Sequence, residues 1–128
     1  MEGGGGMEVN SYQDLKIWQA GMQLAEECYC LTRAFPREEL FGMTSQIRRA
    51  ATSIPANIAE GWGREGTREY IQFLRVAQGS LKELETHLIL SRRVGLAAEA
   101  DVTPILALCT EVGKMTRSLI GTLQRKLQ

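Results

Sequence analysis

The most constraining feature of the sequence is a long apolar stripe in its third quarter. Its residues are spaced 4, 3, 4, 3 and 4 positions apart, which keeps them on one face of a helix: Tyr70, Leu74, Ala77, Leu81, Leu84 and Leu88. This spacing is close to a heptad repeat and predicts a helix from about Thr67, its expected N-cap, to about Val94. Such a helix needs partner helices of similar length to cover its apolar face.

A second amphipathic stretch precedes it, over residues 43–61, and is interrupted by a proline. Pro55 removes one backbone donor and crowds the carbonyl four residues earlier, so we expect a kinked helix. Ser53 and Asn57 lie one turn apart and can bond the loosened backbone or a neighbouring helix. The apolar residues of the stretch are again three or four positions apart: Met43, Ile47, Ala50, Ile54 and Ile58.

Glycines give two more expectations about these helices. The segment Gly61-Trp62-Gly63 predicts a left-handed glycine cap at the end of the second helix. Gly79 lies in the middle of the third helix, where glycine costs up to about 1 kcal/mol relative to alanine. Close passage of the second helix would explain a small residue at that position.

The first and fourth helices are read from the same periodicity. The first is expected to open near Ser11 to Asp14 and to end before Pro36, because proline disfavours helix in the residue before it. A connector follows, with or without a short turn of helix. Its apolar stripe consists of Leu15, Trp18, Met22, Ala25, Tyr29 and Thr32.

The fourth helix is expected to open at Thr103-Pro104, with proline at the first helical position, and to run close to the C-terminus. Its stripe consists of Ile105, Leu108, Val112, Met115, Leu119 and Thr122, with Cys109, Ile120, Leu123 and Leu127 alongside. Four helices with short connectors predict an all-α fold, an antiparallel up-down-up-down four-helix bundle over residues 11–128. Residues 1–10 are expected to be a flexible leader, with either Met1 or Met7 as the natural start.

Composition limits where such a protein works and what it binds. Fifteen basic and 15 acidic residues give no net charge, so any binding to nucleic acid needs a local patch. The longest apolar run, over residues 105–109, is far too short to span a bilayer. An acidic, glycine-rich start does not resemble a secretory signal, so a cytoplasmic protein without membrane association is expected. The odd number of cysteines, Cys28, Cys30 and Cys109, predicts reduced, buried thiols.

Chemistry is limited by a single histidine. Di-iron bundles use a Glu-x-x-His motif on each of two helices, but Leu84 stands three residues before His87. Glu83 lies four residues before His87 and can reach it along the helix. No phosphate-cradling glycine loop or nucleophile motif occurs in the sequence. We therefore expect no catalytic residues, metal, cofactor or small-molecule substrate.

Two basic groups are candidate nucleic-acid contacts. Arg48 and Arg49 belong to the second helix, and for them we favour ion pairing with glutamates inside the bundle over contact with phosphates. The second group is in the last half of the fourth helix, where cations also complement the helix dipole. It consists of Lys114, Arg117, Arg125 and Lys126.

Two aromatic residues flank the loop between the second and third helices. Trp62 and Tyr70 can each pack on the edge of the core or anchor a contact between subunits. The subunit contact is the interpretation that we favour.

Several blocks of the sequence resemble one protein family, and the resemblance covers nearly everything from Tyr12 to the C-terminus. The blocks are Phe35-Pro36-Arg37-Glu38-Glu39, Phe41-Gly42-Met43-Thr44, Gln46-Ile47-Arg48-Arg49-Ala50, residues 53–61 (SIPANIAEG) and residues 77–84 (AQGSLKEL). The chain resembles the four-helix-bundle proteins encoded within intervening sequences of bacterial 23S ribosomal RNA genes. That resemblance implies an antiparallel bundle that assembles into a homopentamer and has no established enzymatic activity.

A related group of these proteins acts as accessory subunits of diversity-generating retroelements. The resemblance implies that such subunits bind nucleic acid and a reverse transcriptase through a basic surface, whereas this chain is neutral overall. The working hypothesis is therefore a cytoplasmic, non-enzymatic homo-oligomer that presents a repeated surface to RNA, DNA or a nucleoprotein. The alternative is an oligomeric adaptor that binds only protein.

Overall fold

The computed structural model describes residues 9–128 and consists of four α-helices in that range. Helices α1 and α2 span Lys16–Arg33 and Met43–Gly63, and helices α3 and α4 span Thr67–Arg93 and Glu99–Lys126. Short 3-10 turns occur at Tyr12–Asp14, before α1, and at Arg37–Glu39, in the connector before α2. No strand occurs within the described range. Most of the predicted leader lies in residues 1–8, outside the described residues.

The four helices pack in a ring of neighbours around a single apolar core. Each helix contacts the next one along the chain, and α1 closes the ring against α4. With short connectors, this arrangement is the expected all-α, up-down-up-down four-helix bundle, and that prediction is confirmed. Burying a leucine or isoleucine side chain contributes about 1.5 to 3 kcal/mol. The largest core side chains are each at most 2 % exposed and include Leu24, Ile47, Ile54, Ile58, Leu74, Leu81, Leu84, Leu88, Val102 and Val112.

Helix α2 remains helical through Pro55, and side chains bond the backbone beside it. Asn57 Nδ2 donates to the carbonyl oxygen of Ser53 at 2.8 Å and also lies 3.0 Å from Ser53 Oγ. Ser53 Oγ in turn lies 2.8 Å from Ser80 Oγ on α3. The predicted use of Ser53 and Asn57 is confirmed, because they bond both their own helix and its neighbour. The kink itself stays a prediction.

The close approach between α2 and α3 lies at Gly61, so the expectation for Gly79 was wrong. Gly79 is exposed, and a Cβ atom added there would meet nothing within 4 Å. A Cβ atom on Gly61 would lie 2.8 Å from Phe73 Cβ and 3.0 Å from Tyr70 Cδ1. The error has a simple geometric cause: Ser80, the next residue after Gly79, is the one that faces α2.

Several helix ends also differ from the predictions. Ser11 caps the first 3-10 turn by accepting a bond from the Gln13 N–H, so it does not cap α1. Helix α3 has Gly66 as its N-cap, so Thr67 is its first helical residue. Helix α2 continues through Gly63 and ends without a left-handed glycine.

The left-handed glycine is instead Gly95, which follows α3 with a φ of 82°. The N–H groups of Gly95 and Leu96 bond back to the carbonyls of Arg92 and Ser91, at 3.2 and 2.9 Å. This pair of bonds is a Schellman motif, which satisfies the free carbonyls at the end of a helix.

Helix α4 begins at Glu99, five residues before Pro104, so the proline does not occupy the first helical position. Glu99 and Asp101 place negative charge in the first turn, which the helix dipole favours. Pro104 leaves the carbonyl of Ala100 without its helical partner. Ala100 is exposed, so water can satisfy that carbonyl.

The buried faces of α1 and α4 are rotated from the predicted stripes. On α1, Ala25 and Thr32 are buried as expected, but Leu15 and Trp18 are only half-buried. Met22 and Tyr29 are 36 % and 37 % exposed. The core positions of α1 are Ile17, Gly21, Leu24, Ala25, Cys28 and Thr32.

On α4, the predicted core residues Leu108, Met115 and Leu119 are half-buried and Thr122 is exposed. The buried positions are Val102, Ile105, Cys109, Val112, Gly113, Thr116, Ile120 and Leu123. Both helices carry two apolar series on adjoining faces, and periodicity alone cannot tell which of the two faces the core.

Two of the three cysteines are core residues. Cys28 and Cys109 are fully buried, and burial raises the pKa of each thiol from 9.0 to about 12. Nearby Glu27 adds to the increase in the pKa of Cys28. Cys30 is exposed, contrary to expectation, because residues two apart on a helix point about 200° apart.

We expect Gly61→Ala to destabilise the fold by about 1 to 3 kcal/mol, since its methyl group would overlap Phe73 and Tyr70. Gly79→Ala is the matched control, and it should stabilise by up to about 1 kcal/mol because alanine is the better helix former and meets no atom there. Urea denaturation of the two variants measures both effects. Equal unfolding midpoints for Gly61→Ala and the native protein would contradict the close approach.

We expect Cys28 and Cys109 to resist Ellman's reagent in the native protein and all three thiols to react after unfolding. The buried thiols also make stability depend on pH. Between about pH 9 and 12 the unfolded chain loses thiol protons that the folded chain retains, so the free energy of unfolding falls as pH rises. Replacing Cys28 and Cys109 by alanine should flatten this decline, and an unchanged slope would show that other groups cause it.

Candidate functional site

An open apolar groove runs between α1 and α2. It has a volume of about 590 Å³, and most of its lining is aromatic or aliphatic. Four of the six residues that were predicted to face the core from α1 line one of its walls, namely Trp18, Met22, Ala25 and Tyr29, and α2 supplies the other wall around Pro55. The full lining is Tyr12, Trp18, Met22, Ala25, Glu26, Tyr29, Cys30, Arg33, Thr52, Pro55, Ala56 and Ala59.

Aromatic contacts order one end of this groove. The ring of Tyr12 packs edge to face on Trp18, with centroids 5.3 Å apart, and also on Trp62, with centroids 6.4 Å apart. Trp62 is thus held beside the groove through Tyr12. Tyr70 packs near Gly61 and is half-buried, and burial raises the pKa of its hydroxyl. A subunit contact through Trp62 and Tyr70 stays a prediction.

A second apolar surface lies between the start of α1 and the last half of α4. Its groove of about 480 Å³ combines Leu15 and Ile17 with Met115 and Leu119. Further apolar side chains are exposed in the connector before α2, where Leu40 is 48 % and Phe41 92 % exposed. One chain therefore has apolar side chains on its surface that its own core does not bury.

Arg48 is held in place at the other end of the α1/α2 groove. Its Nε donates to Thr32 Oγ1 at 2.9 Å, and its guanidinium lies 4.5 Å from the centroid of the Tyr29 ring. Thr32 Oγ1 itself donates to the carbonyl of Cys28 at 2.8 Å. This network satisfies two buried or half-buried polar groups at once. Arg49, the next residue, points to solvent and is exposed.

Arg48 also lines a small pocket where the C-terminal end of α1 meets the start of α2. The pocket has a volume of about 290 Å³ and contains three arginines but no carboxylate. Arg33 and Arg37 were not among the predicted site residues, since they are far from Arg48 in sequence. The full lining is Thr32, Arg33, Phe35, Pro36, Arg37, Leu40, Thr44 and Arg48.

The second predicted basic group lies at the opposite end of the bundle. Lys114 lines the groove beside the start of α1, whereas Arg48 contacts Thr32 near the end of α1. All four of its residues are exposed: Lys114, Arg117, Arg125 and Lys126. The structure therefore does not bring the two predicted basic groups together.

Ion pairing accounts for only part of the arginines. Arg64 pairs with Glu60 at 3.1 Å, and Lys82 pairs with Glu85 at 3.1 Å. Within residues 9–128, neither predicted basic group forms an ion pair with a carboxylate. Arg48 makes the hydrogen bond and the aromatic contact described above instead of an ion pair, and Arg49 is exposed to solvent.

The arrangement around His87 offers little for catalysis. His87 Nε2 and Ser91 Oγ, one turn apart on α3, are buried and have no hydrogen-bond partner among residues 9–128. Glu83 and His87 form no ion pair. In the range that the structure describes, no three His, Cys, Asp or Glu side chains are grouped so that they could hold a metal ion.

None of the described helices has the length and apolar character needed to cross a bilayer.

Comparison with known proteins agrees with the resemblance seen in the sequence. A solved structure with a TM-score of 0.73 and 26% sequence identity matches 81% of this chain and 97% of its own. It is a protein of unknown function from the S23 ribosomal protein family of Bacteroides thetaiotaomicron. No curated protein matches the chain. The family model described as 23S rRNA-intervening sequence protein matches residues 13–118, and the chain belongs to that family.

Proposed function

We propose that this protein is a non-enzymatic, cytoplasmic homo-oligomer, assembled as a pentamer through the groove between α1 and α2. One observation carries the proposal: Trp18, Met22 and Tyr29 of α1 are half-buried or exposed in their own chain and line an open groove. An apolar surface of this kind is typical of a protein contact, and its aromatic residues suit the centre of an interface. The resemblance to bundles that form pentamers supports the same assembly.

The distribution of exposed apolar residues favours a ring over a two-fold dimer. Leu90 and Val94, at the end of α3, are 43 % and 60 % exposed and lie outside the groove lining. A contact between the end of α3 on one copy and the groove on the next joins two different surfaces. Contacts between unlike surfaces close into rings when the rotation allows, whereas a two-fold dimer pairs one surface with itself.

Nucleic-acid binding is a second candidate, and the basic residues at the end of α4, which form no ion pair within residues 9–128, favour it. Lys114, Arg117, Arg125 and Lys126 are exposed, and a ring of subunits would repeat this group once in each copy. Repeated cations along a surface suit the regular charge of a phosphate backbone. The related retroelement accessory proteins, which the resemblance links to nucleic acid, support this role. The alternative is an adaptor for protein partners alone.

We expect Met22→Asp to prevent assembly, because it places a charge in the groove where a second copy would bury it. Light scattering should give a multiple of 14.2 kDa for the native protein, five-fold for a pentamer, and a single chain for the variant. Val76→Asp is the matched control, since Val76 is exposed on α3 and lines no part of the groove. A native protein of single-chain mass, or an unchanged mass for Met22→Asp, would refute assembly through this groove.

We expect RNA or DNA to bind at low salt and to dissociate steeply as salt rises, by about 0.9 log units of affinity per log unit of salt for each duplex phosphate contacted. Charge reversal at Arg117 and Arg125 should weaken this binding while the helix content stays unchanged. Arg75→Glu, at an exposed position of α3, serves as the control. If the native protein shifts neither RNA nor DNA in a gel at low salt, the adaptor role is the better description.

A further inference from the structure

The arginine pocket between α1 and α2 has the composition of an anion site. Arg33, Arg37 and Arg48 all line it, together with the side chains of Thr32 and Thr44. Within residues 9–128, none of the three arginines pairs with a carboxylate. Three cationic side chains thus line one small cavity, and an anion bound among them would offset the repulsion between their charges.

Arg48 is oriented before any ligand binds. Its Nε is occupied by Thr32 Oγ1 at 2.9 Å and its plane is placed over the Tyr29 ring, 4.5 Å from the ring centroid. A guanidinium has five N–H donors, so the four on the two terminal nitrogens remain available. A side chain fixed in this way loses little conformational freedom when it binds an anion.

The nearest carboxylates in sequence do not fill the pocket. Glu39 Oε1 accepts a hydrogen bond from the Met43 N–H at 3.1 Å, so it is engaged at the start of α2. Glu38 is exposed on the 3-10 turn, and neither glutamate is part of the lining. Arg33 makes one weak contact, from Nη1 to Cys30 Sγ at 3.6 Å, which an anion can replace.

An exposed aromatic residue directly follows the pocket lining in the chain. Leu40 is part of the lining, and Phe41 follows it in the chain with 92 % of its surface exposed. An exposed aromatic side chain beside a basic groove is a platform on which a nucleobase can stack. The arginines suit the phosphate of a nucleotide, and the aromatic ring suits its base.

We propose that this pocket binds the terminal phosphate of a nucleotide, with Arg33, Arg37 and Arg48 around the phosphate and Phe41 against the base. A terminal phosphate carries close to two negative charges and three free oxygens, so it can use several guanidinium donors in a concave site. An internal phosphodiester carries one charge and is flanked by sugars, which restricts its entry. The nucleotide is either free or the 5′ end of a nucleic acid.

The test measures binding of four probes by calorimetry at low salt: 5′-AMP, adenosine, and an RNA pentamer with either a 5′ phosphate or a 5′ hydroxyl. We expect the phosphorylated pentamer to bind at least ten-fold more tightly than its hydroxyl counterpart. The affinity of 5′-AMP distinguishes the two sources of the nucleotide. If 5′-AMP binds as tightly as the phosphorylated RNA pentamer, the ligand is a free nucleotide; if it binds more weakly, the ligand is the 5′ end of a nucleic acid. Adenosine should not bind detectably.

Variants locate the site on the protein. Arg37→Gln should weaken binding of the phosphorylated probe about ten-fold, and Phe41→Ala about five-fold or more through lost stacking. Arg75→Gln, at an exposed position away from the pocket, should have no effect. Both test residues are exposed, so circular dichroism should show native helix content in each variant.

Three results would each overturn the proposal. They are equal affinity for the two RNA probes of five nucleotides, no binding of any phosphorylated probe, and unchanged affinity in Arg37→Gln or Phe41→Ala. Met22→Asp separates this inference from assembly. A single-chain form of that variant that retains the preference for the 5′ phosphate supports the pocket, since all its residues come from one copy. A native protein of single-chain mass that keeps the same preference refutes the proposed assembly and leaves the pocket standing.

Discussion

The bundle depends on the contact between α2 and α3, where two long apolar faces meet at close range. Gly61 lets the backbone of α2 approach Tyr70 and Phe73, and the Ser53–Ser80 hydrogen bond joins the same two helices about two turns away. These two points fix the axial position of one helix against the other. The remaining helices add to this pair, with α1 packing on α2 and α4 on α3. Both candidate surfaces are positioned by that arrangement, because each has α1 as one wall.

Much of the fold could be predicted from the sequence, and the errors have physical causes. The stripe from Leu74 to Leu88 is bordered by polar residues, so only one face of α3 can be buried. Helix α1 carries two apolar series on adjacent faces, and the choice between them depends on where α2 and α4 lie. Helix ends depend on backbone bonds that a pattern does not reveal, as the Schellman motif at Gly95 shows. The predicted start of α4 at Pro104 was also wrong, because an exposed carbonyl one turn earlier makes a proline inside α4 tolerable.

The candidate sites were predicted less completely than the fold. Arg48 was singled out beside Arg49, yet the structure groups it with Arg33 and Arg37 from another part of the chain. Such a grouping arises from the connector that turns between α1 and α2, and linear spacing does not show it. The misplaced stripe of α1 was informative in another way. Its regularity was real, but Trp18, Met22 and Tyr29 on that face line the groove, and only Ala25 and Thr32 are buried.

Arg33 lines both the apolar groove and the arginine pocket, so one side chain forms part of the wall between them. Tyr29 belongs to the groove and supports the guanidinium of Arg48 on the pocket side. If subunits assemble through the groove and an anion enters the pocket, the two binding events share the side chain of Arg33, and any effect of one on the affinity of the other is equal in both directions.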